Sequence, residues 1–379
     1  MCAPNSIAWS SLKTAAEAID TPCPSPQPSA QPRGARRDQG TIAGMNIVIL
    51  DDYQDVVRKL SCANKLDPYP AKVYTNTVKG LGQLSVRLKD AEILVLIRER
   101  TAMPRQLIEK LPRLKLISQT GKVGSHIDVH ACTERGIAVA EGFGSPYAPA
   151  ELTWALIMAA MRRLPQYIGN LKHGAWQQSG LKSGAMPANF GLGQVLRGKT
   201  LGIWGYGKIG QLVAGYGKAF GMQVLIWGRE GSRAKAAQDG YEVAASQEAL
   251  FENSDVLSLH LRLNDETRGI VHLNDLLRMK PTSLLVNTSR AELVQPEALI
   301  TGLNRGRPGM AALDVFESEP ILQGHPLLRL ENCICTPHIG YVEHDTYELY
   351  FGTAFDNVVN FIKGTPTNIV NPGALQVRR

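Results

Sequence analysis

Lys199-Thr-Leu-Gly-Ile-Trp-Gly205-Tyr-Gly207-Lys-Ile-Gly210 is the stretch on which the reading of the whole chain turns. Its first half is apolar and β-prone, as a buried strand should be, and residues 206–220 that follow carry helical spacing. The three glycines at the join have separate uses. Gly205 permits a tight turn, Gly207 lets backbone approach a ligand closely, and Gly210 lets helix and strand pack together. The start of such a helix presents unpaired amides and the positive end of its dipole, a natural place for phosphate. A second strand, Gln223-Val-Leu-Ile-Trp227, completes a strand–helix–strand unit. In that setting 205–210 reads as a dinucleotide fingerprint, with Gly205, Tyr206, Gly207, Lys208, Ile209 and Gly210 against the cofactor.

The second strand ends Trp227-Gly228-Arg229-Glu230, with Ser232 and Arg233 close behind. A ribose-binding carboxylate is expected about 20 residues beyond the fingerprint. Gly228 stands there, and Arg229 follows it. An acid would repel a 2′-phosphate, whereas an arginine would neutralise one. NADP(H) is therefore the expected cofactor, with Gly228 and Arg229 at its ribose end and NAD(H) the alternative.

The same alternation extends outward in both directions. Strand-like runs are expected at 46–50, 71–75, 92–97, 114–118 and 137–140, then at 200–204, 223–227, 255–259, 283–287, 310–314 and 333–336. Helical segments between them imply an α/β protein with parallel sheets covered on both faces. A helix over 149–164 is apolar nearly all round, so it should lie between domains or between subunits. The Gly-rich stretch 174–198, which includes Gly184, reads as an arm or loop, and 343–363 reads as a closing helix. Residues 1–44 hold six of the chain's 22 prolines without sustained periodicity and read as a disordered extension.

Composition limits the alternatives. A chain of 379 residues with 44% hydrophobic and 20% charged positions is neither wholly disordered nor a disulfide scaffold. The net charge of +7 is spread along the chain, which suits an enzyme of anionic metabolites, and no nucleic-acid-binding motif accompanies it. Six scattered cysteines without a CxxC pair favour a reducing compartment, and Cys333 and Cys335 read as buried small hydrophobes. No apolar run approaches 18 residues, and no secretory leader is recognisable at the start, so a cytoplasmic protein without a membrane partner is expected.

Three further segments, Val286-Asn-Thr-Ser-Arg290, Ala312-Leu-Asp314-Val-Phe-Glu-Ser-Glu319-Pro320 and Thr336-Pro-His338-Ile-Gly340, follow the fingerprint in order. Together the four motifs resemble those of the D-isomer-specific 2-hydroxyacid dehydrogenases, over roughly 45–375. The resemblance implies two Rossmann-like doubly wound domains with the active site in the cleft between them. Residues 45–146 and 338–379 would form the substrate domain, 147–337 the cofactor domain, and the apolar helix with the arm 170–198 would make a two-fold homodimer. The reaction would be hydride transfer between a nicotinamide and a small 2-keto or 2-hydroxy acid.

That chemistry explains the residue types. Arg290 offers a planar, permanently charged fork for the substrate carboxylate. His338 is the expected acid/base, histidine being the side chain that ordinarily titrates near neutrality. Glu319, which precedes proline as the resemblance requires, would orient the imidazole. By the same resemblance Asp314 would meet the nicotinamide carboxamide, with a strand-end cap as its structural alternative. Thr288, Ser289 and Gly340 complete the cofactor set. Backbone around Val123 and Gly124 would receive the substrate carboxylate, with Lys122 adding charge.

His126 and His130 have an i,i+4 spacing that suits a metal on a helix, yet no HExxH glutamate accompanies them, and no metal is expected. Three positions depart from the pattern: His260-Leu-Arg-Leu263 replaces a proline-bearing loop, Ala291 replaces a glycine, and Tyr341 replaces another. The runner-up function is a dinucleotide-sensing, corepressor-like protein with little turnover.

Overall fold

The β-branched runs become strands of two parallel sheets in the computed structural model, which describes residues 45–181 and 186–378. The first sheet contains β1 (Ile47–Ile49), β2 (Ala71–Val73), β3 (Ile93–Leu96), β4 (Leu116–Gln119) and β5 (Ala138–Ala140), in the order β2-β1-β3-β4-β5. The second contains β6 (Thr200–Trp204), β7 (Gln223–Trp227), β8 (Glu242–Val243), β9 (Val256–Leu259), β10 (Leu284–Asn287), β11 (Met310–Leu313) and β12 (Cys333–Cys335). Its order is β12-β11-β10-β9-β6-β7-β8, so the winding reverses beside β6, the strand that leads into the glycine-rich turn. Ligands of open parallel sheets bind at such a switch point. The expected doubly wound α/β architecture is thus present in both lobes. The extension 1–44 and Gly184 lie outside the described residues.

Central strands are buried on both faces, which explains their unbroken apolar runs: all four residues of β3, β9 and β10 are buried. The helix Tyr147–Met161 packs on the helix Lys208–Ala219 and across β10 and β11, burying Ala150, Leu156, Ile157, Ala160 and Met161. It ends earlier than its apolar run predicts. Arg163 adopts φ 57°, and a second helix, Leu164–Lys172, starts with Pro165 in its first turn. Pro165 has no N–H to donate to residue 161 and its ring would clash with that carbonyl, so one continuous helix through 164 is broken here, while proline is tolerated in the first turn of the new helix. The second helix buries none of its residues, leaving Leu164, Ile168 and Leu171 exposed along one face.

The following segment is more than an arm, because Leu181, Phe190 and Leu196 enter the core of the second lobe. Cys333 and Cys335 are half-buried rather than buried, with sulfurs 3.7 Å apart on the edge strand β12. Among the described residues no helix is long and apolar enough to cross a membrane.

The C-terminal helix His344–Ile362 returns to the first lobe. Its Tyr347, Tyr350, Phe351, Phe355 and Val358 fill a core shared with β1 and β3. The Ser118 hydroxyl donates to Ala354 O at 2.9 Å, and Asn371 then binds Val139 N at 2.7 Å and Ile137 O at 2.9 Å. The first sheet is therefore completed by residues some 200 positions downstream of it.

Candidate active site

A cavity of about 620 Å³ opens between the two lobes. Its walls come from the loops after β3, β10 and β11 and from the segment after β12, all carboxyl ends of parallel strands. Arg290, Glu319 and His338 line it, brought together from three separate loops.

His338 is held from two sides. Its Nδ1 lies 2.6 Å from Glu319 Oε2, while Glu319 Oε1 accepts the Phe316 amide at 2.9 Å. Burial pushes the Glu319 carboxyl up, but the His338 bond and charge more than offset this, so it rests below its ordinary range. The backbone of His338 has φ 51°, in the left-handed region that few non-glycine residues adopt. Asp314 holds that turn in place. Fully buried at the end of β11, it accepts from Thr336 Oγ1 at 2.6 Å, Ile339 N at 2.8 Å and Gly340 N at 2.8 Å. Burial raises its carboxyl above the ordinary value. The three bonds place the loop that carries His338. A Cβ on Gly340 would come within 3.2 Å of Asp314 Oδ2, so glycine suits the position.

Arg290 donates to Glu99 through Nε at 3.2 Å and Nη2 at 2.7 Å, and to Ser289 O through Nη1 at 2.6 Å. Glu99 went unnoticed in sequence, where Arg98-Glu99-Arg100 resembles a solvated charge run. The signal that identifies it is position: the run follows the carboxyl end of β3, where open sheets place ligands. Arg98 and Arg100 line the same cavity, with guanidiniums 5.8 and 5.4 Å from the centre of the Tyr341 ring. Tyr341 itself is buried, meets the His338 ring edge-on at 5.7 Å, and has its hydroxyl pKa raised mainly by burial. The glycine-to-tyrosine departure seen in sequence therefore forms a wall of the site.

The expected substrate loop is differently engaged. Lys122 forms an ion pair with Glu141, and the Val123 amide points at the same carboxylate at 3.4 Å, so neither lines the cavity. Gly124 packs beside the cavity wall, where a Cβ would lie 3.3 Å from both Glu99 Oε1 and His126 Nδ1. Burial lowers the His126 imidazole to about 4, which keeps it neutral. His130 is on the surface with Arg105 and Glu134; only Val129–Glu134 is helical, so the two histidines do not share a helix face.

The glycine-rich turn satisfies the steric demands of a dinucleotide. Gly205 has φ 104°, and a Cβ there would meet His260 O at 2.7 Å; at Gly210 it would overlap the Gly205 carbonyl oxygen. Gly207, by contrast, faces open space as the N-cap of Lys208–Ala219, and no side chain caps that helix. Tyr206 is buried with its hydroxyl on Asp239 at 2.9 Å, while Lys208 and Ile209 form the first turn. Gly228 sits 3.9 Å from the Gly205 backbone, measured from its would-be Cβ. Arg229 is exposed and reaches Glu266 at 3.1 Å, whereas Arg233 lies over the Trp227 ring at 4.8 Å. Thr288 shares a 2.7 Å hydrogen bond with Thr153, and the Ser289 hydroxyl donates to Leu261 O at 2.6 Å.

Residues 154–340 match the D-isomer specific 2-hydroxyacid dehydrogenase, NAD binding domain. Glyoxylate reductase of Aeropyrum pernix is 40% identical over 275 residues, 72% of this chain and 81% of that protein. The chain belongs to the D-isomer specific 2-hydroxyacid dehydrogenases. Solved members of similar fold include an oxidoreductase from Ralstonia solanacearum, 65% identical with TM-score 0.86, covering 88% of this chain and 98% of that one. Another is a phosphoglycerate oxidoreductase from Vibrio cholerae, 54% identical with TM-score 0.81, covering 84% and 99%. This dehydrogenase is accordingly an oxidoreductase that acts on CH–OH donors with a nicotinamide cofactor.

Proposed function

We propose that this dehydrogenase works mainly as a reductase of a small 2-keto acid such as hydroxypyruvate or glyoxylate. The observation that carries this reading is the convergence of Arg290 with the Glu319–His338 pair on one interlobe cavity. Arg290 holds the substrate carboxylate and polarises the ketone; with Glu319 on Nδ1, His338 delivers a proton to the carbonyl oxygen from Nε2. The nicotinamide, when bound, supplies the hydride to the carbonyl carbon. Gly205, Gly207 and Gly210 admit the pyrophosphate, and Thr288, Ser289 and Gly340 border the nicotinamide end. Asp314, which holds the loop of His338, meets the nicotinamide carboxamide at that end. Backbone around Val123 and Gly124 receives the substrate carboxylate with Lys122 adding charge, once Lys122 and the Val123 amide release Glu141.

NADP(H) is the preferred cofactor in this reading. Arg229 is free to turn from Glu266 toward a 2′-phosphate, because that pair is almost wholly exposed and so weakly held. The test is steady-state oxidation of NADPH and NADH side by side, with a panel of 2-keto acids. NADPH should be favoured, and Arg229→Ala should raise the KM for NADPH about tenfold, the loss of one charge-assisted contact, with little effect on NADH. Equal use of both cofactors would remove the preference. Cofactor binding without turnover of any keto acid would instead favour the sensing role.

The protein is further proposed to pair as a homodimer. Ile168 and Leu171 on the helix Leu164–Lys172, and Trp176 and Val195 after it, are large apolar side chains left exposed. Light scattering should return twice the chain mass, and Ile168→Asp should shift the population toward monomer. A monomeric wild-type protein would refute the pairing.

A further inference from the structure

We infer that Glu99 is a positioning residue for substrate binding: it clamps the Arg290 guanidinium from the opposite lobe and aims its remaining donors at the keto acid carboxylate. The inference rests on the proposed role of Arg290 and goes beyond it by assigning a second residue to that site.

A donor count supports it. A guanidinium has five N–H donors. Glu99 takes one on Nε and one on Nη2, and Ser289 O takes one on Nη1. One N–H then remains on each of Nη1 and Nη2, enough for a second carboxylate without displacing the first. Glu99 reaches Arg290 from the loop after β3, whereas Arg290 follows β10, so the pair bridges the two lobes.

The local charges point the same way. Lys79, Arg98, Arg100 and Arg290 line the cavity together with Glu292, Glu317 and Glu319, and Glu99 is the carboxylate bonded to Arg290. The groups facing Glu99 are Arg290, Arg98 and the neutral His126, and although burial raises its carboxyl, Arg290 brings the net value below the ordinary range. Glu99 is therefore an anion wherever the enzyme operates near neutrality. An anion at this place either orients Arg290 or competes with the substrate for it. The two free donors favour orientation.

The two roles predict opposite kinetics. With Glu99→Gln, which preserves size but loses charge, the KM for the keto acid should rise about tenfold or more, with a smaller change in kcat and none in cofactor KM. Glu99→Asp, which keeps the charge, should recover part of the loss. A KM that falls in Glu99→Gln would make Glu99 a competitor, and an unchanged KM would make the ion pair idle; either result overturns the inference. Arg290→Ala, assayed in parallel, separates this from the underlying reading. If Arg290→Ala leaves keto acid kinetics intact, the proposed substrate site fails. If Arg290→Ala abolishes saturation while Glu99→Gln does not change it, only the positioning role fails. Thermal melts of all three variants, whose substitutions lie on the cavity wall, check that the fold is retained.

Discussion

Replacing His338 with alanine should lower turnover by roughly 10²- to 10⁴-fold, the range that general acid–base catalysis contributes, while leaving cofactor affinity nearly unchanged. The loop should survive the change because its anchors are elsewhere. Asp314 is bonded to Thr336, Ile339 and Gly340, and none of those bonds involves the imidazole. The fingerprint glycines follow β6, which β11, β10 and β9 separate from β12 in the sheet, so their turn does not depend on the substituted ring. Stopped-flow reduction and cofactor titration measured on the same preparation check both halves. Retained turnover would remove His338 as the acid/base, whereas a joint loss of turnover and cofactor binding would mean the loop had collapsed.

Glu319 adds a pH signature to this result. Its carboxyl is depressed relative to the unfolded chain, so its stabilising contribution is fully present above the ordinary glutamate value. As pH falls, that contribution is lost only through the lower, folded-state value. The Glu319–His338 contact therefore persists through the range in which an unpaired glutamate would already be protonated.

Gly210→Ala should damage stability and cofactor binding together. The added methyl has nowhere to go, because it overlaps the Gly205 carbonyl oxygen and sits 3.4 Å from Ile203. The start of the helix Lys208–Ala219 must move off β6, at a cost of about 1–3 kcal/mol for overpacking. If that strain is relieved only by giving up the cofactor-ready geometry, affinity falls by about 10- to 100-fold. Gly207→Ala is the informative control. A methyl there meets no protein atom within 4 Å and φ is −85°, so the fold should melt normally. Affinity should still fall, since the methyl occupies the space a pyrophosphate needs. Calorimetric melting and cofactor titration of both variants decide the matter: a Gly210→Ala protein indistinguishable from wild type would show that the close approach of helix and strand is dispensable.

Much of this was legible in residues alone, for reasons that differ by element. Parallel strands buried on both faces leave unbroken apolar runs, so β3, β9 and β10 declare themselves. The strand Glu242–Val243 does not, because two edge residues are too few to carry a pattern. Arg290, Glu319 and His338 each sit inside a recognisable motif at the end of a strand. Glu99 could not be paired with Arg290 from sequence, since 191 residues separate them and the contact exists only once two lobes face each other. Asp314 shows another limit: its motif marks the position, but its hydrogen bonds to the loop of His338 are visible only in the fold. The division of 147–172 into two helices turns on Pro165, which a helix interior does not accommodate but a first turn does.

The return of the last long helix to the first lobe has a consequence for the order in which the protein can be assembled on the ribosome. Strands β1 to β5 emerge early, yet the face they share with Phe351, Phe355 and Val358 stays uncovered until His344–Ile362 has been synthesised. The second lobe draws its sheet and core from residues translated in one unbroken stretch and can close as soon as β12 appears. Translation thus reverses the usual precedence of N-terminal units. The half that is made first is finished last.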